Sequence, residues 1–238
     1  MRLDEILKQD KLTLSFEVFP PKSDTAFESV KYATEEIAKL RPSFMSVTYG
    51  AGGGTSKYTL EIAKNIKEQY GVPTLAHLTC VSSTKETVHE RIQQMKEAGI
   101  ENVMALRGDL TPELENSDRS TWDYRHAVDL IHELKEEGFC IGGACYPEIH
   151  PESANQKEDI LHLKEKVDAG CSFLTTQMFF DNNLLYNFLY KIREAGIAYA
   201  TDQIIDLFAN GITNVHVYSM NKPDVAEAIQ RNLSDILG

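Results

Sequence analysis

The chain has 238 residues, of which 42% are hydrophobic and 25% charged, which is typical of a soluble globular protein. This length suits one large α/β domain as well as two small ones. Its net charge of −12 argues against a general nucleic-acid surface, which would need a basic stripe. Any anionic ligand must therefore be held by a few local cations and backbone N–H groups. Residues 1–5 open a charged segment that has no apolar leader core, and no run reaches membrane-spanning length. We expect a cytoplasmic protein.

The first predicted strand ends in a carboxylate. Apolar and polar residues alternate over residues 12–18, so Glu17 falls on the polar face with Ser15, and Pro20-Pro21 stops the strand. Burying an unpaired charge costs free energy, so Glu17 is either paired or functional.

A charged amphipathic helix that ends in glycine and is followed by an apolar strand recurs along the chain. Glycine is the favoured helix terminator because it readily adopts the left-handed conformation. With strands near residues 14 and 44, the units recur at roughly 30 residues, the size of a βα unit. This series predicts a parallel sheet closed into a (β/α)8 TIM barrel, as one domain over residues 1–238. The predicted later strands cover residues 72–78, 102–106, 139–144, 171–175 and 212–217.

The alternation breaks after Gly196. A strand should follow this glycine, but residues 198–208 have the pattern of a second amphipathic helix, so seven strands are predicted where a closed barrel needs eight. Either one βα unit, strand 7 with its helix, has been lost near Ile197–Ala198, or the printed sequence omits residues there. We favour omission. If the loss is real, we expect poor folding or little activity.

The four cysteines form no C-x-x-C pair, and all but Cys80 lie in or beside predicted strands. Free cysteine is commonly a buried apolar residue, and cytoplasmic proteins keep their thiols reduced. We therefore expect buried, reduced thiols. The spacing of His, Cys and carboxylate residues predicts no metal site.

Polar and ionisable residues collect at the C-terminal ends of the predicted strands, where barrel enzymes place their active sites. Together they indicate a ligand site. Each also has a structural interpretation: His77 as a satisfied core histidine, Arg107 and Asp109 as an ion pair, Gln177 as a partner of backbone groups. His216, in the last strand, is interpreted as a core residue. The strand ends carry Glu17, Thr48, Tyr49, Ala51, His77, Arg107, Gly108, Asp109, Tyr146, His150, Gln177, Tyr218 and Lys222.

Several motifs at these strand ends resemble methylenetetrahydrofolate reductase. In chain order they are SFEVFPPK (15–22), SVTYGA (46–51), HLTC (77–80), ALRGD (105–109), YPEIHPE (146–152), KVDAG (166–170) and TQMFFD (176–181). The resemblance implies a (β/α)8 barrel with bound FAD that reduces methylenetetrahydrofolate to methyltetrahydrofolate, in one-carbon and methionine metabolism. It also implies NADH or NADPH as electron donor and a homo-oligomer, with no nucleic-acid or membrane partner.

The resemblance assigns roles to the substrate side of the site. Glu17 matches the general acid that helps to open the folate ring to an iminium cation, and a water-poor barrel interior is expected to raise its pKa. Asp109 matches a carboxylate beside the flavin that stabilises this cation. Gln177 matches a residue that hydrogen-bonds the pterin, and Lys222 a basic substrate contact.

The resemblance also assigns the cofactor side. Arg107 and Lys166 would supply cations for the FAD pyrophosphate. His162 and Glu165 stand where some relatives have Asn and Arg. This departure argues against the family's contacts to the adenosine part of FAD at these two positions. The matching FAD positions are Thr48, Tyr49, Ala51, His77, Arg107, Gly108, Asp109, Ala127, Tyr146, His150, Asp159 and Lys166.

Two other functions stay open. One is a flavin barrel similar to proline dehydrogenase, which would act on a different substrate. The other is a truncated, non-catalytic subunit that binds a pterin or a partner. The electron donor is also open between NADH, NADPH and a protein.

Overall fold

A computed structural model describes residues 1–9, 11–21, 23–49, 56–81, 83–110, 112–195, 214–218 and 221–232. The strands are β1 (Thr13–Val18), β2 (Phe44–Val47), β3 (Thr74–Thr79), β4 (Asn102–Leu106), β5 (Cys140–Cys145), β6 (Phe173–Thr176) and β7 (Asn214–Tyr218). The helices are α1 (Leu3–Ile6), α2 (Phe27–Lys39), α3 (Ser56–Tyr70), α4 (Lys85–Glu97), α5 (Pro112–Glu115), α6 (Ala127–Glu136), α7 (Gln156–Ala169), α8 (Asn182–Glu194) and α9 (Pro223–Asn232). Two short 3-10 helices cover Asp24–Ala26 and Arg119–Thr121.

The seven strands form one parallel sheet in the order β6-β5-β4-β3-β2-β1-β7, a nearly closed barrel with flanking helices. The last strand returns to pair with the first, and this register sets Ser15 opposite His216 and Glu17 opposite Tyr218. Within the described residues β6 and β7 do not pair, but the Tyr218 hydroxyl donates to the carbonyl of Thr176 at the end of β6, at 3.4 Å. The predicted α/β barrel is thus confirmed. The helix predicted at 198–208 and the break at Ile197–Ala198 lie outside the described residues.

The predicted glycine terminators have the expected backbone. Gly71, Gly99 and Gly138 have φ of 67°, 67° and 83°, in the left-handed region that an L side chain adopts only with strain. Strands β3, β5 and β6 begin later than predicted, β5 by a single residue. Pro73 lacks an N–H for the ladder, so β3 begins after it. The N–H of Cys171 donates to the Lys166 carbonyl and belongs to the end of α7, so β6 begins at residue 173.

The two faces of the sheet have different partners. On β1, Leu14, Phe16 and Val18 belong to the large apolar core that also contains residues of the flanking helices. The alternate residues Ser15 and Glu17 lie on the opposite face, inside the barrel, as the period-2 pattern predicts. The carboxylate of Glu17 is therefore held away from the apolar core and among the polar side chains of neighbouring strands.

Helix α1 closes the end of the barrel at which the strands begin. Leu3 and Ile6 pack in a separate apolar cluster with residues such as Phe44 and Phe173. The buried Asn102 amide fixes this contact: its Oδ1 accepts from the Leu3 N–H at 2.7 Å, and its Nδ2 donates to the carbonyls of Met1 (3.1 Å) and Thr74 (3.0 Å). The other end, where the strands finish, stays available for a ligand.

All four cysteines are free, and their predicted burial is confirmed. Burial raises the pKa of Cys80 to about 12 and that of Cys140 to about 11, so these thiols are poor nucleophiles.

Across the described ranges, no three His, Cys, Asp or Glu side chains are grouped so that they could hold a metal ion. No helix there is both long enough and apolar enough to cross a membrane.

Candidate functional site

A cavity of about 500 Å³ opens where the strands end. It collects nearly all the residues that the sequence singled out, although they are spread over 201 positions from Glu17 to Tyr218. Ala51 lies outside the described residues, and Lys222 is exposed and does not line the cavity. The predicted site residues that do line it are Glu17, Thr48, Tyr49, His77, Arg107, Gly108, Asp109, Ala127, Tyr146, His150, Asp159, Lys166 and Gln177.

Glu17 lies at the buried inner end of this cavity and is only 4% exposed. Its Oε2 accepts a hydrogen bond from the Ser46 hydroxyl of β2 at 3.0 Å. The same oxygen lies 3.3 Å from Nε2 of His216 on β7 and 3.5 Å from Nε2 of His77 on β3. One carboxylate oxygen therefore meets side chains from three other strands.

These partners decide the charge of Glu17. Burial alone would raise the pKa of Glu17. The hydrogen bond from His216, the charges of His77 and His216, and the hydrogen bond from the Ser46 hydroxyl lower this pKa, and their combined effect exceeds that of burial. The net effect holds the pKa of Glu17 below its ordinary value. The expected rise of this pKa is therefore wrong for the protein without substrate, because the sequence did not place two histidines beside the carboxylate.

His77 is not a satisfied core histidine. The side chain is buried and lines the cavity, and its Nε2 has no hydrogen-bond partner among the described residues. Burial lowers the pKa of His77, which disfavours the charged form of the ring. An unpartnered buried nitrogen costs free energy, and at a cavity wall it is a natural contact for a polar ligand atom.

Arg107 does not pair with Asp109, the structural alternative. Its Nη1 and Nη2 bind the two carboxylate oxygens of Glu152 at 2.5 and 3.0 Å, and Arg119 approaches the same carboxylate at 3.8 Å. The guanidinium of Arg107 lowers the pKa of Glu152, which is ionised as a result. The cavity thus contains a guanidinium that can bind an anion through two N–H groups, and in this structure the anion is the side chain of Glu152. Asp109 is exposed at the cavity rim.

Lys166 supplies a second cation to the cavity. It extends from α7, and its Nζ donates to the Ala144 carbonyl of β5 at 2.9 Å. Burial lowers its pKa. A buried ammonium with one carbonyl partner has two further N–H donors for a ligand.

The loop after β5 brings aromatic groups to the cavity. The rings of Tyr146 and His150 meet edge to face with centroids 4.7 Å apart. Between them Ile149 has φ of 80°, a strained value for a β-branched residue. The buried Asp159 of α7 holds the loop by accepting from the His150 N–H and the Ser153 hydroxyl, both at 3.2 Å. Asp159 therefore positions this loop as well as lining the cavity.

The N-terminus of α6 also faces the cavity. Ala127 and Val128 line it, and Asp129 accepts from the N–H groups of Arg125 and His126 at 2.8 and 2.9 Å. Such a terminus favours negative charge. On the other wall, the N–H of Gln177 donates to the Cys145 carbonyl at 2.7 Å and fixes its backbone at the end of β6.

The sequence interpretation missed three side chains of the site. The sequence predicts a core role for His216, assigns no role to Ser46, and presents Glu152 only as part of the YPEIHPE motif. A signal existed for the first: His216 and Tyr218 are two positions apart on a strand, like Ser15 and Glu17, so each pair shares one face.

The chain matches known proteins over most of its length. The family model described as "Methylenetetrahydrofolate reductase" matches residues 2–200. The 5,10-methylenetetrahydrofolate reductase of Pectobacterium carotovorum is 39% identical over 190 residues, which are 79% of this chain and 62% of that protein. Methylenetetrahydrofolate reductase (NADH) 1 of Arabidopsis thaliana is 31% identical over 208 residues, 82% of this chain and 35% of that one. The chain thus spans about three-fifths of the length of the bacterial relative.

Solved structures share the fold at lower identity. A structure of oxaloacetate acetylhydrolase in complex with oxalate superposes with a TM-score of 0.61 at 14% identity, covering 99% of this chain and 85% of that one. At this identity the likeness supports the barrel fold alone.

Proposed function

Because this chain belongs to the methylenetetrahydrofolate reductase family, we propose that it reduces 5,10-methylenetetrahydrofolate to 5-methyltetrahydrofolate. Electrons would come from NADH or NADPH through bound FAD. The observation that carries the proposal is a buried carboxylate, Glu17, at the inner end of a cavity lined by nearly all the residues that match the family's site. The Arabidopsis relative, whose name specifies NADH, supports NADH as the donor.

The cavity suits a flavin dinucleotide in its chemistry. The unpartnered Nε2 of His77 offers a polar contact, and Arg107 and Lys166 are cations for a pyrophosphate. The N-terminus of α6 adds a favourable potential for the same group. Thr48, Tyr49, Ala51, Gly108, Asp109, Ala127, Tyr146, His150 and Asp159 would complete the binding set. When bound, FAD would accept and pass on a hydride equivalent, which no side chain of this protein can do.

Glu17 would supply the proton that opens the folate ring. Protonation of a ring nitrogen lets the C–N bond break with its electron pair retained by nitrogen. The carboxyl oxygen that donates this proton must lie in a site poor in water. Glu17 meets this condition, because the residue is only 4% exposed. Asp109, a carboxylate at the rim, would stabilise the cation that results. Gln177 would hydrogen-bond the pterin, and Lys222 would contact the substrate from outside the present cavity.

We further propose that the chain works as one catalytic barrel over residues 1–238 and as part of a homo-oligomer. The four buried free thiols support a reducing compartment, the cytoplasm. The 5-methyltetrahydrofolate that the protein forms would serve methionine synthesis.

Two half-reactions test the function. Purified protein should carry a flavin absorption band, which NADH bleaches without oxygen and methylenetetrahydrofolate restores. Failure of both steps in a fully flavin-loaded protein would refute the proposal. Reoxidation by the product of proline oxidation instead of the folate would favour the proline-dehydrogenase-like alternative. A protein that binds folate but no flavin would favour the non-catalytic subunit.

A further inference from the structure

His216 forms part of a hydrogen-bonded chain that ends on Glu17. Its Nδ1 lies 2.9 Å from the Ser15 hydroxyl, and its Nε2 lies 3.1 Å from the Ser46 hydroxyl and 3.3 Å from Oε2 of Glu17. The ring stacks on Phe44 with an interplanar angle of 4°. Both edges of the imidazole are therefore engaged by polar groups and its face is fixed by packing.

The arrangement accepts a charged ring. Nε2 faces a carboxylate, which stabilises an imidazolium at hydrogen-bonding distance. A hydroxyl both donates and accepts, so Ser15 can accept from Nδ1–H when His216 is protonated and still do so after Nε2 has lost its proton. With the ring charged, each of its two N–H groups therefore has an acceptor. His77, the other imidazole beside Glu17, has no such partner among the described residues.

The acid of the proposed reaction needs a source for its proton. His216, His77 and Ser46 hold the pKa of Glu17 below its ordinary value despite its burial, so near neutral pH the carboxyl group is ionised. A carboxylate can donate a proton only after it has gained one. The groups in contact with its Oε2 include Ser46 and the two histidines, and burial disfavours a proton on His77.

We propose that His216 is the positioning residue that holds the proton which Glu17 delivers to the folate. This inference rests on the proposed function. In the step, the Nε2–H bond of the imidazolium breaks and its electron pair stays on Nε2. The proton passes to Glu17 as Glu17 gives a proton to the substrate nitrogen. Glu17 ends as a carboxylate, His216 as a neutral ring with Nδ1–H on Ser15, and the substrate has gained one proton.

The groups that decide whether the proton lies on His216 come from each of the strands around its ring. Glu17 is on β1, His77 on β3, and Tyr218 on β7, where its ring meets His216 edge to face at 5.4 Å. Ser15 and Ser46 are the neutral hydrogen-bond partners from β1 and β2. Burial raises the pKa of Tyr218, which stays neutral and adds no charge. The only negative charge in contact with His216 among these groups is that of Glu17.

A direct readout is the protonation state of His216 in flavin-free protein labelled with 15N-histidine. We expect an imidazolium at pH 7 in the wild-type protein and a neutral ring in Glu17→Gln, with the signal assigned by its loss in His216→Gln. A neutral ring in the wild-type protein would overturn the proposal. Because this measurement needs no turnover, it gives an answer even if the proposed reaction fails.

The kinetic test uses His216→Gln and, as matched control, His132→Gln, since His132 is exposed on α6. His216→Gln should slow flavin reoxidation by methylenetetrahydrofolate at least about 10-fold at pH 7 and leave bleaching by NADH unchanged. The loss should shrink as the pH falls, because Glu17 then takes its proton from water. Ser15→Ala should show a weaker form of the same profile.

The outcomes separate the two proposals. If the wild-type protein does not react with the folate, the proposed function fails, whatever His216 does. If it reacts and His216→Gln has the wild-type rate and pH profile, the role of His216 is refuted. A loss of equal size at every pH would mean that His216 only shapes the site, and this too would refute it.

Discussion

The guanidinium of Arg107 and the carboxylate of Glu152 form a two-bond ion pair, at 2.5 and 3.0 Å, on the wall of the cavity. Arg107 is mostly buried, with 17% of its side chain exposed, while Glu152 is 41% exposed. The pair therefore presents a preformed anion site whose occupant can leave towards solvent. A ligand phosphate that binds Arg107 must first displace Glu152.

Replacing Glu152 by Gln should tighten the binding of FAD. The variant removes a competing anion worth about 1 kcal/mol at a partly exposed site, which predicts about a fivefold lower Kd. The measurement is a fluorescence titration of flavin-free protein. Glu148→Gln is the matched control, because Glu148 is an exposed residue of the same loop that does not line the cavity. Weaker binding in Glu152→Gln would show instead that Glu152 supports the bound cofactor.

Replacing Glu17 by Gln should abolish only one half-reaction. Glutamine keeps the size of the side chain but has no acidic proton, so reoxidation of the flavin by methylenetetrahydrofolate should fall by about 100-fold or more. Bleaching by NADH should stay at the wild-type rate, measured by anaerobic rapid mixing. Glu61→Gln, an exposed carboxylate of α3, is the control. An equal loss in both half-reactions would contradict the role of Glu17 as an acid.

How far the sequence predicted this site depends on the kind of contact. Residues at strand ends, such as Arg107 and Gln177, follow from the rule that parallel strands bring their C-terminal ends together. His216 did not follow, because its contact with Glu17 exists only where the last strand pairs with the first, 199 positions away. The predicted direction of the Glu17 pKa shift was wrong for the same reason, since this shift depends on partners from three other strands.

The burial of His77 predicts a pH dependence of stability. Burial lowers its pKa in the folded state, so the unfolded chain, with a His pKa of about 6.5, takes up the proton first. This contribution to the free energy of unfolding is complete above about pH 6.5 and is lost as the pH falls below that value. The lowered pKa of Glu17 acts in the same direction, but only below its ordinary value of about 4.3.

His77→Gln should therefore flatten the dependence of the unfolding free energy on pH between about 6.5 and 5. Urea unfolding at intervals across this range measures the slope. Above about pH 7.5 the wild-type and variant curves should run parallel, which serves as the internal control. An unchanged slope in the variant would mean that His77 is charged in the folded protein.

Asn102 should be critical for the closed end of the barrel. Replacing it by Leu leaves three backbone groups, of Met1, Leu3 and Thr74, without their partner. Each buried unsatisfied group costs about 1–3 kcal/mol, so we expect a loss of about 3 kcal/mol in the free energy of unfolding, measured in urea. Asn116→Leu is the control, since Asn116 is exposed and makes one local hydrogen bond, to Pro112. A similar small loss in both variants would contradict this role.

The break at Ile197–Ala198 leads to a prediction about the chain itself. Within the described residues β6 and β7 are the two edges of the sheet, and the family match ends at residue 200, close to the break. A family barrel has eight strands, so we expect the protein to contain a further βα unit between β6 and β7. Its intact mass should then exceed 26.8 kDa, and the tryptic peptide that begins at Glu194 should carry the additional residues. A mass of 26.8 kDa would contradict this expectation and establish a real loss of strand 7, in which case the open edge should give a protein of low stability and little folate activity.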